Sequence, residues 1–216
     1  MYIRKEIVAR AYALVAVLVC AAGLFLAFRR DGAVRALLSF SVQSGVLGLI
    51  FFAFRLLVGR KPCRAGGLLL GIAAFSTVAS STIHFALLRP LEDPSDPANA
   101  LLCMAVPALA ALQYLLFEPK GQLAAWDPVY WMIHPGLYAL LNQLRARFAG
   151  PDLFQGDYLY FFLDPARVGA EGVWLFALGL ALALGFLAFL WQRLDRALYA
   201  RATYRFKDRS LPGKKG

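Results

Sequence analysis

Three side chains pair nucleophilic or proton-transferring chemistry with apolar surroundings: Ser41 in SFSVQSG, His84 in STIHFALL and Cys103 in ALLCMAVP. A hydroxyl or thiol becomes a nucleophile when a base stands within hydrogen-bond reach, and histidine supplies that base most often. Acyl transfer or ester hydrolysis is the chemistry such a set would do. Each residue also has a plain role. A serine in an apolar helix commonly bonds a carbonyl one turn back, a cysteine there packs as a small apolar group, and a histidine near a membrane boundary can be hydrated. Gln43 and Ser44, within a turn of Ser41, could bond across helices without any chemistry.

Metal and redox chemistry find little support. Cys20, Cys63 and Cys103 form no CxxC motif and no Cys/His pair, so neither a disulfide framework nor a zinc site follows, and no cofactor is expected. His134, the only other histidine, belongs to a different depth from His84, which disfavours a shared haem iron.

The elements that must position these residues are membrane helices. Of the 216 residues 60% are hydrophobic, and the mean hydropathy is +0.60, far above a domain with a wetted surface. The sequence therefore predicts an all-α polytopic bundle of six transmembrane helices over 8–28, 33–57, 65–88, 97–117, 128–144 and 173–194, each near the twenty or so residues a crossing needs. Residues 1–195 make the membrane domain and 196–216 a basic tail. Arg4, Lys5 and Arg10 before an apolar run with Cys20 resemble a signal sequence. Val19 stands where a lipoprotein site wants a small residue and further spans follow, so an uncleaved first span is expected. Gly66, Gly67, Gly71, Gly179 and Gly185 are small enough to let helices approach closely.

The stretch from Asn99 to Pro128 organises the chain. It carries one span into a polar elbow, Phe117-Glu118-Pro119-Lys120-Gly121, that cannot continue a helix, and then into the next span. The net charge of +10 follows membrane topology rather than nucleic acid, because the basic residues flank apolar segments and fill the tail. Placing both termini in the cytoplasm leaves only Arg29, Arg30, Arg35, Arg89, Arg145, Arg147 and Arg167 of the 23 basic residues outside, Arg55 being counted inside. Acidic residues, among them Glu92, Asp93, Asp152 and Asp157, lean outward.

Counting along helices places Ser41 about 12 Å, Cys103 about 9 Å and His84 about 6 Å below the outer boundary. All three share the outer third. In the loop 146–172, Asp157 and Asp164 bracket an aromatic run from Tyr158 to Leu163, and Asp164 with that run is expected to close over the site. His134 lies about 9 Å above the inner boundary.

From the second span to the sixth the chain resembles the bacterial six-transmembrane Pr-six-Pr membrane proteins. These are related to the androgen-induced protein family of intramembrane hydrolases for fatty acid esters of hydroxy fatty acids. The resemblance lies in SFSVQSG from Ser39 to Gly45, in Pro107, in LLFEPKG and WDPVYWMIHP between Leu115 and Pro135, and in YLYFFLD from Tyr158 to Asp164. It implies that Ser41 stands at the position of the hydrolases' threonine nucleophile, that Cys103 stands where the pattern has histidine, and that Gln113 stands at the pattern's aspartate. The candidate catalytic set is thus Ser41, His84 and Cys103, with Gln43, Gln113, Tyr158, Tyr160 and Asp164 as candidate binding residues. The function implied is hydrolysis or acyl transfer on lipid acyl esters in a bacterial inner membrane, with membrane lipids as partners. The alternative is a non-catalytic scaffold or lipid-binding protein on the same bundle.

Overall fold

The computed structural model describes residues 6–59, 64–89, 95–121, 123–148 and 158–210; Cys63, Glu92, Asp93, Asp152 and Asp157 lie outside them. Helix α1 (Glu6–Asp31) buries Ala9, Ala13, Ala16, Cys20, Gly23 and Ala27, a face of small residues at three- and four-residue spacing. Small side chains let helix backbones close up where lipid supplies no hydrophobic drive to associate. A Cβ at Gly23 would come within 3.0 Å of the Leu102 side chain, and one at Gly45 within 2.8 Å. Gly32, at φ 76°, turns the chain in the left-handed region that glycine takes without strain, and leads into α2 (Ala33–Leu37).

The second expected span divides here. Ser39 is extended at φ −76° and ψ 133°, and α3 runs Phe40–Val58. Ser41 is therefore in the first turn of α3 rather than well inside a span begun at Ala33, which corrects its depth. Helix α4 (Arg64–Ile83) continues through a π turn at His84–Leu88. After Asp96, whose side chain accepts from the Ala98 N–H at 2.9 Å, come α5 (Pro97–Ala100), a second π turn at Leu101–Ala105, and α6 (Val106–Phe117). Pro107 has no N–H to offer the Cys103 carbonyl, and its ring crowds that carbonyl. The widened turn relieves the conflict.

Beyond the elbow lie α7 (Asp127–Trp131), α8 (Ile133–Phe148), a 3₁₀ turn (Phe161–Leu163) and α9 (Pro165–Ser210), which is broken near its start at Gly169, φ 75°. Among the described residues five helices are long and apolar enough to cross a membrane: Glu6–Asp31, Phe40–Val58, Gly67–Leu88, Pro97–Phe117 and Pro165–Ala200. This supports an integral membrane protein. The expected fifth span, 128–144, does not meet that standard. It breaks at Met132, because Pro135 cannot donate to the Trp131 carbonyl, and α8 ends in Asn142, Gln143, Arg145 and Arg147.

Side-chain contacts nevertheless carry α7 and α8 along the bundle. Trp131 packs on Phe75, His134 bonds Ser76, Tyr138 reaches the Leu38 carbonyl and Gln143 that of Leu163. One end of the bundle gathers Gly59, Glu118 and Asp195, and the other gathers Arg30, Ser39, Asn99 and Tyr160.

Candidate functional site

At the Ser39 end, Ser41, His84 and Cys103, from α3, the π turn after α4 and the π turn before α6, open onto one cavity of about 170 Å³. Arg30, Arg35, Ser39, Ser80, Leu159 and Tyr160 complete much of its wall. His84 is 8% exposed, Cys103 2% and Ser80 3%, so the cavity is cut into the bundle rather than lying on its surface. Ser80 has no hydrogen-bond partner among the described residues, and neither does Arg35 at the rim. Arg30 is already held by Asp31, Asp96 and Asn99.

A helix start leaves several N–H groups without intrahelical partners. Ser39, the residue placed to cap α3, makes no side-chain cap. Its hydroxyl instead meets Ser41 Oγ at 2.8 Å and Tyr160 Oη at 3.4 Å, while the Phe40 N–H donates to Tyr160 Oη at 3.1 Å. A tyrosine from a remote loop thus caps α3. Burial raises the Tyr160 phenol above its ordinary value, which keeps the proton on the oxygen while it accepts from Phe40. Among the described hydrogen bonds Ser41 is joined to Ser39 and not to His84.

The candidate binding residues separate. Tyr160 lines the cavity, and so does its neighbour Leu159. Tyr158 instead donates to Gln143 Oε1 at 3.2 Å. Asp164 caps α9, accepting from the Ala166 N–H at 2.9 Å and pairing with Arg167 at 3.4 Å. Gln43 ties α3 to α2 by donating to the Leu37 carbonyl at 2.9 Å. Gln113 lies about 15 Å along the helix from Cys103 and belongs to another cluster. His134 bonds Ser76 Oγ at 2.9 Å and stacks on Phe40, with ring centroids 5.0 Å apart.

That other cluster was missed by sequence reasoning. Arg55, counted above as a cytoplasmic marker, is 3% exposed and pairs at 2.6 Å with Glu118, which is fully buried. Gln113 Nε2 donates to the second Glu118 oxygen at 3.0 Å, and Arg55 also donates to the Gly59 carbonyl at 3.3 Å. On the neighbouring side Asp195 accepts from the Tyr114 hydroxyl at 2.7 Å and from the Gly121 N–H at 3.0 Å. The elbow is thereby bolted to α3 and α9. The signal available was a charge at each end of apolar segments, and no sequence rule pairs such charges across 63 residues.

Lys120 donates to the Tyr114 and Glu118 carbonyls and sits 3.9 Å above the Tyr114 ring. Burial lowers its pKa to about 8, against the opposing pull of Asp195 and Glu118. Below that pH both folded and unfolded chains hold the proton and the burial cost is felt in full. Between about 8 and 10.5 only the unfolded chain still binds it, so stability rises with pH. Thermal melting in detergent should show that rise in the native chain and a flatter one in Lys120→Met. Parallel curves for the two proteins would refute the assignment.

No protein-family model matches the chain, and comparison with curated proteins and with solved structures gives no match either.

Proposed function

We propose that this integral membrane protein handles acyl lipids at the polar cavity, on a scaffold related to the Pr-six-Pr proteins and the androgen-induced intramembrane hydrolases. In this reading the chain crosses a bacterial inner membrane six times, α7 and α8 making the fifth crossing, with both termini in the cytoplasm. The cavity then belongs to the outer leaflet. The observation that carries the proposal is the arrival of Ser41, His84 and Cys103, from three separate helices, at the wall of one polar cavity. Arg35 at the rim suits the polar end of a lipid.

The reaction is acyl transfer to water or another alcohol. Ser41 Oγ attacks the ester carbonyl as its proton passes to His84, and the alcohol departs with that proton; the acceptor then gives its own proton to His84 as it attacks the acyl carbonyl, and the bond to Ser41 Oγ breaks as His84 returns that proton to it. Catalysis requires the Ser41 hydroxyl to turn from Ser39 towards His84. The bond of 2.8 Å between Ser41 and Ser39 favours a second reading, a lipid-binding protein that performs no chemistry.

A fluorophosphonate probe separates the two. Labelling of the native chain that disappears in Ser41→Ala is the expected result for the enzyme. A native chain that stays unlabelled while binding acyl lipid would leave only the second reading.

A further inference from the structure

An apolar cleft of about 210 Å³ adjoins the polar cavity. Its two side walls are regular. One wall is Met132, just before α8, with Pro135, Gly136, Tyr138 and Ala139 of α8; the other is Ala177, Leu180, Ala181 and Leu184 of α9. Tyr138 apart, both sets follow the spacing i, i+3, i+4, i+7, the stripe by which a helix faces a neighbour. The two helices nevertheless do not pack closely on each other. The 3₁₀ turn Phe161–Leu163 packs against both, with Phe162 and Leu163 lining the cleft, and small residues at Gly136, Ala139, Ala177 and Ala181 leave the rest of the space open; a Cβ at Gly136 would meet nothing within 4 Å.

The eight residues from Met132 to Ala139 and the eight from Ala177 to Leu184 each run about 10 Å along the chain. Phe40, Ile83 and Tyr160 contribute to the lining of the cleft, and Ile83 and Tyr160 also line the polar cavity. Ala181 is exposed, so the trough reaches the outer flank of α9, where Leu178, Leu182 and Phe186 are bare. An apolar trough that opens on the flank of a membrane bundle and shares a wall with a polar chamber has the polarity of an amphiphile.

Building on the lipid-handling reading of the polar cavity, we infer that the cleft between α8 and α9 holds one unbranched acyl chain, entering sideways from the bilayer, with its carboxyl or ester end across Tyr160. The chain's lie is set by the two stripes. Ala181 and Gly136 determine the length accepted, because a larger side chain at either position fills the trough.

The test uses the full-length protein in detergent with a palmitic acid analogue carrying a mid-chain diazirine. Photolysis should place adducts on the segments 132–139 and 177–184, competed by unlabelled palmitate. Ala181→Trp should reduce those adducts by about tenfold, and Gly136→Leu should shift competition towards shorter fatty acids. Adducts spread evenly over Leu175, Leu182 and Phe186, and unchanged by either substitution, would overturn the inference. Fluorophosphonate labelling at Ser41 together with such an even spread would overturn the cleft alone. Adducts in the cleft of a chain that resists the fluorophosphonate would uphold the cleft and remove the catalytic step.

Discussion

Replacing Glu118 with alanine is expected to leave little folded protein. The substitution leaves the Arg55 guanidinium, 3% exposed, with the Gly59 carbonyl and the faces of Phe51 and Phe54 but no counter-charge among the described residues, and it strips Gln113 Nε2 of its acceptor. Breaking a buried ion pair from one side costs about 3–5 kcal/mol, because the surviving charge stays out of water with nothing to balance it. Against a total stability of about 5–15 kcal/mol that loss is decisive. The measurement is detergent-solubilised yield and melting temperature. Replacing both partners, as Arg55→Met with Glu118→Leu, should recover much of the loss, since the pair's own net contribution is small once its desolvation is counted. Equal melting of Glu118→Ala and the native chain would show that the pair does not hold the elbow.

The next largest effect is expected at Trp131, the largest fully buried side chain. Its indole packs on Phe75, with ring centroids 5.8 Å apart, and lies where a Cβ on Gly71 would come within 2.2 Å of Nε1. Glycine is needed at position 71 for that approach. Trp131→Ala opens a void that a bundle fixed at the elbow cannot close, with a cost at the lower end of about 3–5 kcal/mol, since lipid offers the exposed surface an apolar medium. Gly71→Ala overpacks the same contact and should cost about 1–3 kcal/mol. Both should lower the melting temperature, Trp131→Ala by more. A tolerated Gly71→Ala would mean that α7 can lift away from α4.

Much of this architecture was legible in the residues. Apolar runs near twenty residues fixed α1, α3, α4 and α9 and the helix pair around Pro107, because crossing length and hydropathy are properties of each segment alone. The same logic placed Ser41, His84 and Cys103 towards one end of the bundle. It misplaced Ser41 along its helix, since Gly32 and Ser39 interrupt a run whose hydropathy barely changes. It also gave α7 and α8 as one span, although the helix breaks at Met132, one turn before Pro135. What hydropathy cannot report is which partner a polar side chain finds. Asp164 faces its own helix, Tyr158 faces Gln143, and Tyr160 alone of the three meets the cavity, although all lie within seven residues. Arg55, Glu118 and Asp195 show the same limit more sharply, because pairing across the bundle depends on the fold and not on any local pattern.

The central claim is that the cavity lined by Ser41, His84 and Cys103 receives the polar end of a lipid. Ser80 offers the cleanest way to close it. Its side chain is 3% exposed, faces the cavity and has no hydrogen-bond partner among the described residues, so Ser80→Leu fills the chamber without breaking a bond. Mass spectrometry of lipids released from the purified protein is the direct measurement, run beside a melting curve to show that the variant is folded. The native chain should retain an acyl lipid in a fixed ratio that Ser80→Leu loses at unchanged melting temperature. Equal lipid retention by the two proteins would contradict the account.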